Sequence, residues 1–399
     1  MSSIRPNSTD DWLDSGVVPL TGAPDGPPMI PPGAAASYAR SLSGHISDAT
    51  VDTPFHVDVD GAALLGERAS FTSRTRNGAI SVGRSCRLLP SSDGWIAVSC
   101  AREDDASLLS ALISQQATDN IWPELTHWIA QHTDSEFDYR AMLLGIAGGS
   151  VPSVRTQPTL PGPLVPRSVH GMLVVDFSAL WAGPLCAQLL GAAGARVVKV
   201  ETPTRLDGAR YGDREFYRLL HAGHESVVLD PGTETGRVAL RKLVDAADIV
   251  IEASRPRALR NFGLDAESSV ASGSTWISIT ANGRASDRVG FGDDIAASSG
   301  LVARHSDGSP LFVGDAIADP LTGLTAAAVA MSQPSGSTGK LWDLSMSDIV
   351  ACTLDGSPSH QYLESIVPSK PHGRAPQGEA PISGADTSYV LRSLGIELP

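Results

Sequence analysis

Residue types that several protein classes depend on are scarce in this 399-residue sequence. Its four cysteines, Cys86, Cys100, Cys186 and Cys352, lie far apart and form no C-x-x-C pair. Neither a zinc site nor a disulfide framework is therefore predicted, no metal ligands are assigned, and the thiols are expected to be reduced. Basic residues are also few. The chain has 30 Lys and Arg residues and 44 Asp and Glu residues, which give a net charge of −14. This balance argues against the broad basic surface that nucleic-acid binding needs.

Long apolar runs are absent as well. No stretch of about 18 uninterrupted apolar residues occurs, so no segment is predicted to span a membrane. The N-terminus has no basic segment followed by an apolar run, so we expect no signal peptide and a cytoplasmic location. Aromatic residues make up 5% of the chain and offer no stacking platform that would point to one substrate. An anionic ligand of so acidic a chain needs a local pocket of Arg side chains and backbone N–H groups.

Proline and glycine mark the predicted divisions of the chain. Gly22–Pro28 and Pro31–Gly33 favour irregular structure near the N-terminus, and Pro158–Pro166 favours a linker between domains. The predicted division, in chain order, is an irregular segment (1–40), a small domain (41–156), a Pro-rich linker (157–168), a large domain (169–355), and a C-terminal extended segment with a terminal helix (356–399).

The small domain has the pattern of an α+β unit. Arg87–Ser99 reads as a hairpin, because two apolar runs flank a turn at Ser92–Gly94. Leu108–Leu112 and Trp122–Ile129 have apolar residues at helical spacing.

The large domain alternates short apolar runs with helical patterns. Such alternation predicts an α/β fold with a doubly wound, Rossmann-like parallel sheet, which carries its ligands beyond the carboxyl ends of the strands. The first crossover has one glycine between Ser178 and Pro184 where a dinucleotide loop needs three, which argues against NAD or FAD. The predicted strands are Met172–Asp176, Arg196–Val200, Asp248–Ile251, Thr275–Ile279 and Lys340–Asp343, and the predicted helices are Gly183–Gly194, Val238–Ala246 and Ala316–Met331.

An ordered series of motifs in the large domain resembles the class III CoA-transferases, a family that includes formyl-CoA and carnitine CoA-transferases and alpha-methylacyl-CoA racemase. The order matters more than any one block, since each block alone is weak. The matching blocks are Asp176–Leu190, Gly194–Glu201, Asp207–Arg210, Ala247–Glu252, Arg255–Leu259, Ser278–Thr280, Gly290–Asp294, Ala318–Gly323 and Trp342–Met346.

The order of the domains differs from that of the family. Asp93–Val98 resembles a small-domain strand that follows the large domain's first half in the family, and Ile382–Gly395 resembles the family's usual C-terminus. The small domain therefore looks as if it were moved ahead of the large one, a permutation that exposed termini and linkers tolerate. The family forms interlocked dimers, so the resemblance implies a homodimer.

The resemblance assigns Asp319 as a nucleophilic carboxylate. It implies a transferase that moves CoA between carboxylic acids, with acyl-CoA and an acid as substrates and no permanently bound cofactor. From the local sequence alone, an aspartate directly before Pro320 is as readily an N-cap of the following helix. Both interpretations stay open at this stage.

Further site residues follow from the same resemblance. The loop before the first helix of the large domain and three arginines are expected to contact CoA, and a loop over Asn77–Gly83 is expected to donate N–H groups to an oxyanion. The alternatives are ordinary surface arginines and a core tryptophan. The residues assigned to CoA are Trp181, Ala182, Arg210, Arg255 and Arg257, and those assigned to the oxyanion loop are Gly78 and Gly83.

Asp293 and Asp294 distinguish the branches of the family. The racemase branch has a histidine directly before the aspartate of this motif, and this chain has Asp293 instead. An isomerase that uses Asp319 and Asp293 as acid and base is the first alternative function, since close carboxylates raise one another's pKa. The pair could equally be a solvated turn, and a non-catalytic CoA-binding subunit is the second alternative.

Overall fold

The computed structural model describes residues 9–116, 120–152, 158, 165–254, 256–334, 339–361 and 367–397. The helices in these ranges are α1 (Thr9–Asp14), α2 (Ala35–Thr50), α3 (Gly61–Leu64), α4 (Glu67–Thr72), α5 (Asp105–Leu112), α6 (Trp122–Gln131), α7 (Asp134–Leu144), α8 (Ala182–Ala192), α9 (Arg214–His221), α10 (Glu234–Asp245), α11 (Pro256–Asn261), α12 (Ala266–Ala271), α13 (Gly292–Ser298), α14 (Ala318–Ala330), α15 (Met346–Ala351) and α16 (Thr387–Ser393). The strands are β1 (Met29–Ile30), β2 (Cys86–Pro90), β3 (Trp95–Ser99), β4 (Gly148–Ser150), β5 (Leu173–Asp176), β6 (Arg196–Glu201), β7 (Glu225–Val228), β8 (Ile249–Glu252), β9 (Thr275–Thr280), β10 (Ala303–Arg304), β11 (Pro310–Leu311), β12 (Lys340–Ser345) and β13 (His360–Gln361).

Six parallel strands form the central sheet, in the order β12-β9-β8-β5-β6-β7. Their apolar runs are buried because helices cover both faces, as parallel sheets require. The strand order reverses between β5 and β8, which opens a crevice beyond the carboxyl ends of these two strands. The predicted α/β fold with a doubly wound parallel sheet is confirmed.

A smaller antiparallel sheet, β2-β3-β4, belongs to the small domain. The predicted hairpin is present as β2 and β3, and helices α5, α6 and α7 pack around a separate core. Among its buried side chains are Ile96, Leu109, Leu125 and Phe137. The two stretches with predicted helical spacing, Leu108–Leu112 and Trp122–Ile129, lie within α5 and α6.

The N-terminal segment differs from the predicted division. Helix α2 crosses the predicted boundary between residues 40 and 41 and packs on α14 of the large domain. Trp12 is buried, and its indole N–H donates to the Gly33 carbonyl at 2.8 Å. The described part of 1–40 is therefore ordered core structure, because Tyr38, Leu42 and Ile46 form one apolar helix face among small polar residues.

The predicted linker lies largely outside the described residues, which omit 153–157 and 159–164. At the other end of the chain, α16 packs on β7 at the edge of the central sheet. The Thr387 hydroxyl accepts from the Val228 N–H at 3.0 Å, so the C-terminal segment is tied to this edge. Within the described ranges, no helix is both long and apolar enough to cross a membrane.

Helices α8 and α14 cross at Gly323, and their contact positions the candidate site. A Cβ at residue 323 would lie 2.6 Å from the Ala182 carbonyl oxygen and 3.0 Å from the Leu185 Cβ. Only glycine allows these two backbones to approach so closely. The first turn of α14 is thereby fixed next to the start of α8.

Gly323→Ala should therefore lower the free energy of unfolding by about 1 to 3 kcal/mol, because the added methyl group overpacks the crossing. Gly44→Ala is the matched control, since Gly44 also lies in a helix but has open space around it. That control should stabilise α2 by about 0.5 to 1 kcal/mol. Urea unfolding of both variants checks the prediction, and equal effects of the two substitutions would contradict it.

Candidate active site

Asp319 lies in the first turn of α14, at the end of the helix that meets α8. The N-cap position is Ile317, and no side chain caps this helix. Asp319 is therefore not the N-cap, and the residue is half-buried. The backbone just before it is strained, since Ala316 has a φ of +48°. The Ala316 carbonyl accepts from the Asp319 N–H at 2.9 Å.

Asp293 and Asp294 open the neighbouring helix α13 and are 6% and 0% exposed. An Asp293 carboxylate oxygen accepts from the strained Ala316 N–H at 2.8 Å. Asp294 accepts from the Phe291 N–H at 3.0 Å and from the Ser99 hydroxyl at 2.7 Å. The alternative of a solvated turn is therefore wrong, because both side chains are buried and hydrogen-bonded.

Gly292 brings the two helix ends together. A Cβ at this position would overlap the Asp319 carboxylate and the Ala316 carbonyl oxygen. A larger residue would push α13 away from α14. Glycine at position 292 therefore allows Asp293 on α13 to lie close to Asp319 on α14.

Arg68, on α4, lies next to these carboxyl groups. Its Nε and Nη2 donate to the Asp315 carboxylate at 2.8 and 2.5 Å. Its guanidinium lies 4.7 Å from the ring centroid of Trp181. The sequence does not predict this residue as part of the site, since its partner is 247 positions away and no local motif marks it.

The charges of the cluster shift the pKa of its carboxyl groups. Burial, supported by the charges of Asp293, Asp294 and Asp315, raises the pKa of Asp319 to about 7, although Arg68 opposes the shift. Burial and the neighbouring Asp315 raise the pKa of Asp293 to about 6. Burial raises the pKa of Asp294 to about 7. Several of these groups therefore change charge near neutral pH.

The two glycines assigned to the oxyanion loop lie in different places. Gly83 is next to the cluster, because a Cβ there would be 3.8 Å from an Asp293 carboxylate oxygen. Its N–H has no hydrogen-bond partner among the described residues. Gly78 instead donates its N–H to the Gly22 carbonyl at 3.1 Å and packs near Pro24. The expectation for Gly78 is corrected, since its donor is already used within the fold.

The loop before α8 packs against Arg68 at the candidate site. Trp181 is 1% exposed and packs edge-on against Phe216, so its indole is a core group under Arg68 rather than an accessible ligand surface. Ala182 is also buried and starts the helix. Leu180, the residue before Trp181, has a strained backbone with a φ of +70°.

A buried ion pair holds this strained loop. Lys199 lies 2.9 Å from an Asp207 carboxylate oxygen and donates to the Ser178 carbonyl at 2.8 Å. Asp207 in turn accepts from the Leu180 N–H at 3.0 Å. Motif Asp207–Arg210 thus has a positioning role that its sequence does not reveal.

The three arginines assigned to CoA have different environments. Arg210 is committed to Glu201 through two hydrogen bonds of 2.9 and 2.6 Å. It borders a surface pocket that Arg214 and Tyr217 also line. Arg257 is exposed at the start of α11, beyond the end of β8, and lies 3.5 Å from Asp287. Arg255 lies outside the described residues.

The protonated form of Asp294 should make the stability of the protein depend on pH. Because its folded pKa of about 7 exceeds the ordinary value of 3.8, the free energy of unfolding should fall as the pH rises through this window. Asp294→Asn has no proton to lose. Relative to wild type, its free energy of unfolding should therefore gain on the order of 4 kcal/mol between pH 4 and pH 8. Asp48→Asn, on the exposed face of α2, should follow the wild type in urea unfolding. Parallel pH profiles of Asp294→Asn and wild type would contradict the assignment.

Among the described residues, no group of three His, Cys, Asp or Glu side chains is arranged to hold a metal ion.

Comparison with known proteins relates this arrangement to a family of transferases. The chain is 30% identical over 221 residues to a succinyl-CoA–D-citramalate CoA-transferase of Chloroflexus aurantiacus, which covers 50% of this chain and 55% of that protein. It is 29% identical over 228 residues to a succinate–glutarate CoA-transferase of Agrobacterium fabrum, covering 51% of this chain and 56% of that protein. The formyl-CoA:oxalate CoA-transferase of Escherichia coli is 27% identical over 272 residues, covering 57% of this chain and 62% of that protein.

The chain spans little more than half the length of the curated relatives it matches. A solved structure of a CaiB/BaiF family protein from Brucella suis has a TM-score of 0.43 and 29% identity, and covers 48% of this chain and 56% of that one. The model of CoA-transferase family III matches residues 169–385. That range includes the parallel sheet, Asp293, Asp294 and Asp319, and more than half of the chain. The chain belongs to CoA-transferase family III.

Proposed function

We propose that this protein is an acyl-CoA:carboxylate CoA-transferase that carries CoA as a thioester on Asp319. The observation that carries the proposal is the position of Asp319, which is half-buried, lies outside the capping role, and is in close contact with Gly292, the residue before Asp293. The relatives named as CoA-transferases support the same activity.

The first half of the reaction transfers CoA to the enzyme. The Asp319 carboxylate attacks the thioester carbonyl carbon, the carbon–sulfur bond breaks, and a mixed anhydride and CoA thiolate result. The thiolate then attacks the Asp319 carboxyl carbon of the anhydride. This step releases the donor acid as a carboxylate and leaves an aspartyl-CoA thioester.

The second half runs the same chemistry in reverse with another acid. The acceptor carboxylate attacks the aspartyl thioester and displaces CoA thiolate, which gives a mixed anhydride with the acceptor. The thiolate then attacks the acceptor carbonyl, forms the new acyl-CoA and restores the Asp319 carboxylate. No net proton transfer is needed, so the ionised form of Asp319 is the reactive one.

An oxyanion develops on the attacked carbonyl in each step. The Gly83 N–H is the candidate donor, and one such donor contributes roughly 3 kcal/mol to the transition state. Asp293 holds Ala316 in its strained conformation and so fixes the backbone three residues before the nucleophile.

CoA itself is proposed to lie in the crevice beyond β5 and β8. Its phosphates are proposed to bind guanidinium groups at two places. One is Arg257, beyond the carboxyl end of β8, and the other is the surface pocket lined by Arg210 and Arg214, beyond β6. Arg255 belongs to the same proposed set. A homodimer is proposed on the family resemblance alone, and the cytoplasmic location stays a prediction from the sequence.

An acyl-CoA isomerase is the second candidate, because Asp293 and Asp319 offer two carboxyl groups with pKa values of about 6 and about 7. Such a pair could remove and return a proton at the alpha carbon. The isomerase exchanges alpha protons for deuterium without an acceptor acid, whereas the transferase requires the acid. A non-catalytic subunit does neither.

Asp319→Asn should abolish covalent labelling by acyl-CoA, since the amide cannot act as the nucleophile. The full chain is incubated with a panel of acyl-CoAs, quenched, trapped with hydroxylamine or borohydride, and examined by peptide mass spectrometry. Asp348→Asn is the matched control, because Asp348 is an exposed aspartate in the first turn of α15. The amount of labelled protein should be at least a hundredfold lower in Asp319→Asn than in wild type, and unchanged in the control. Alpha-proton exchange without any adduct would favour the isomerase, and the absence of both would sink the enzymatic proposal.

The rate of adduct formation should rise with pH through about 7, because only ionised Asp319 attacks and burial raises its pKa to that value. Asp293, Asp294 and Asp315 face this group and raise its pKa, while Arg68 lowers it. Asp293→Asn should therefore shift the midpoint to lower pH. Rapid-quench labelling between pH 5 and 9 measures both profiles, and a flat wild-type profile above pH 5 argues against the assignment.

A further inference from the structure

Arg374 ties the C-terminal segment to the buried start of helix α4. Its Nε and Nη2 donate to the two carboxylate oxygens of Glu67, each at 2.8 Å, and its backbone N–H donates to one of them at 3.0 Å. Glu67 is 1% exposed, so its charge is compensated by the guanidinium and not by water. Arg374 Nη1 also donates to Gln188 Oε1, on α8, at 2.7 Å. Arg374 therefore joins α4 to α8.

Gly373 allows the same segment to lie directly on α4. A Cβ at this position would lie 2.4 Å from the Ser70 hydroxyl oxygen and 2.6 Å from Cε2 of Phe71. Only glycine permits so close an approach, so the backbone contact and the ion pair act on the same short helix. Phe71 packs in turn against Phe216 of α9, with the ring centroids 5.7 Å apart. Helix α4 is thus held by the C-terminal segment and by α9.

The residue after Glu67 is Arg68, which reaches the candidate active site. Its guanidinium donates to Asp315 at 2.8 and 2.5 Å and packs over the ring of Trp181. A helix of six residues has little stability of its own, so contacts with the rest of the fold set the position of α4. Because Glu67 and Arg68 are adjacent, a backbone shift at Glu67 also moves the Cα of Arg68.

The position of Arg68 affects how easily Asp319 ionises. Burial raises the pKa of Asp319, and the neighbouring charges that add to this effect are those of Asp293, Asp294 and Asp315. The charge of Arg68 acts in the opposite direction and lowers the pKa of Asp319. Since the attraction between charges falls with distance, a displaced Arg68 would stabilise the Asp319 carboxylate less.

We propose that Arg374 is a positioning residue of the candidate active site, which acts through Glu67 to fix α4 and so keeps the guanidinium of Arg68 beside Asp315 and Asp319. The consequence for catalysis rests on the proposed function of Asp319, whereas the position of Arg68 can be tested without CoA. If the C-terminal segment only covered the surface, a change at Arg374 would leave Arg68 in place.

The test measures the pH midpoint for ionisation of Asp319 with a diazoacetamide reagent, which esterifies protonated carboxyl groups and releases N2. Peptide mass spectrometry of the full chain, labelled between pH 5 and 9, reports the ester at Asp319. Arg374→Lys keeps the positive charge but loses the paired hydrogen bonds to Glu67. It should raise the midpoint by about half a pH unit or more, since an opposite charge within 4 to 6 Å changes a pKa by about 1 to 3.

Glu67→Gln separates a change of position from a change of charge. If charge alone acted, loss of the Glu67 carboxylate would make Asp319 easier to ionise and would lower the midpoint. Because the variant breaks the pairing that holds α4, the midpoint should instead rise, as in Arg374→Lys. Thr387→Val is the control, since it removes a hydrogen bond between the C-terminal segment and Val228 of β7 rather than α4. Its midpoint should equal that of wild type.

An unchanged midpoint in Arg374→Lys, shifts of opposite sign in Arg374→Lys and Glu67→Gln, or an equal shift in Thr387→Val would overturn the inference. A lower urea midpoint without a change in the pH midpoint would show that Arg374 holds only the C-terminal segment.

Acyl labelling of Asp319 by acyl-CoA separates this result from the proposed function. If both variants raise the pH midpoint and wild type forms no acyl adduct, the positioning role stands and the transferase proposal fails. If wild type forms the adduct and neither Arg374→Lys nor Glu67→Gln moves the midpoint, the transferase proposal stands and the positioning role fails.

Discussion

The ion pair between the partly buried Arg68 and the fully buried Asp315 is the interaction on which the candidate site depends. Four carboxyl groups crowd the start of α13 and α14, and burial alone would make their joint ionisation costly. Arg68 offsets this cost and packs over the ring of Trp181. Its burial lowers its pKa, but the nearby carboxylates of Asp315, Asp293 and Asp319 together raise it more, so the guanidinium stays charged. Removing Arg68 would leave the Asp315 carboxylate buried without its partner, a change that costs about 3 to 5 kcal/mol in buried pairs.

A second buried charge cluster performs a different task. Lys199 and Asp207 lie beneath the loop that leads into α8 and hold Leu180 in a strained conformation. Both clusters support a non-glycine residue with positive φ next to the first turn of a helix, at Leu180 and at Ala316. Backbone strain of this kind persists only where the surroundings hold it, and it concentrates at functional sites.

The site also draws on parts of the chain that the family match does not include. Arg68, Gly83 and Ser99 all precede residue 169, where the match begins. The hydrogen bond from the Ser99 hydroxyl to Asp294 joins the small domain to the helix that also carries Asp293. One chain therefore brings the small-domain loop and the Asp319 helix together, although their order along the sequence differs from the order that the family resemblance implies.

The sequence by itself determined the fold class and the position of Asp319 and Asp293 in recognisable motifs. Alternating apolar runs and helical spacing are local properties, so the parallel sheet, the hairpin at β2 and β3, and helix α14 follow from residues near one another. Only the tertiary structure decided that Asp319 is not a cap, that Asp294 is buried rather than solvated, that Gly78 is used elsewhere, and that α2 packs on the large domain. It also placed Arg68 beside Asp315, 247 residues away. The physical reason is that charge pairing, burial and close backbone approach join residues distant in sequence, and no local pattern records which distant groups will meet.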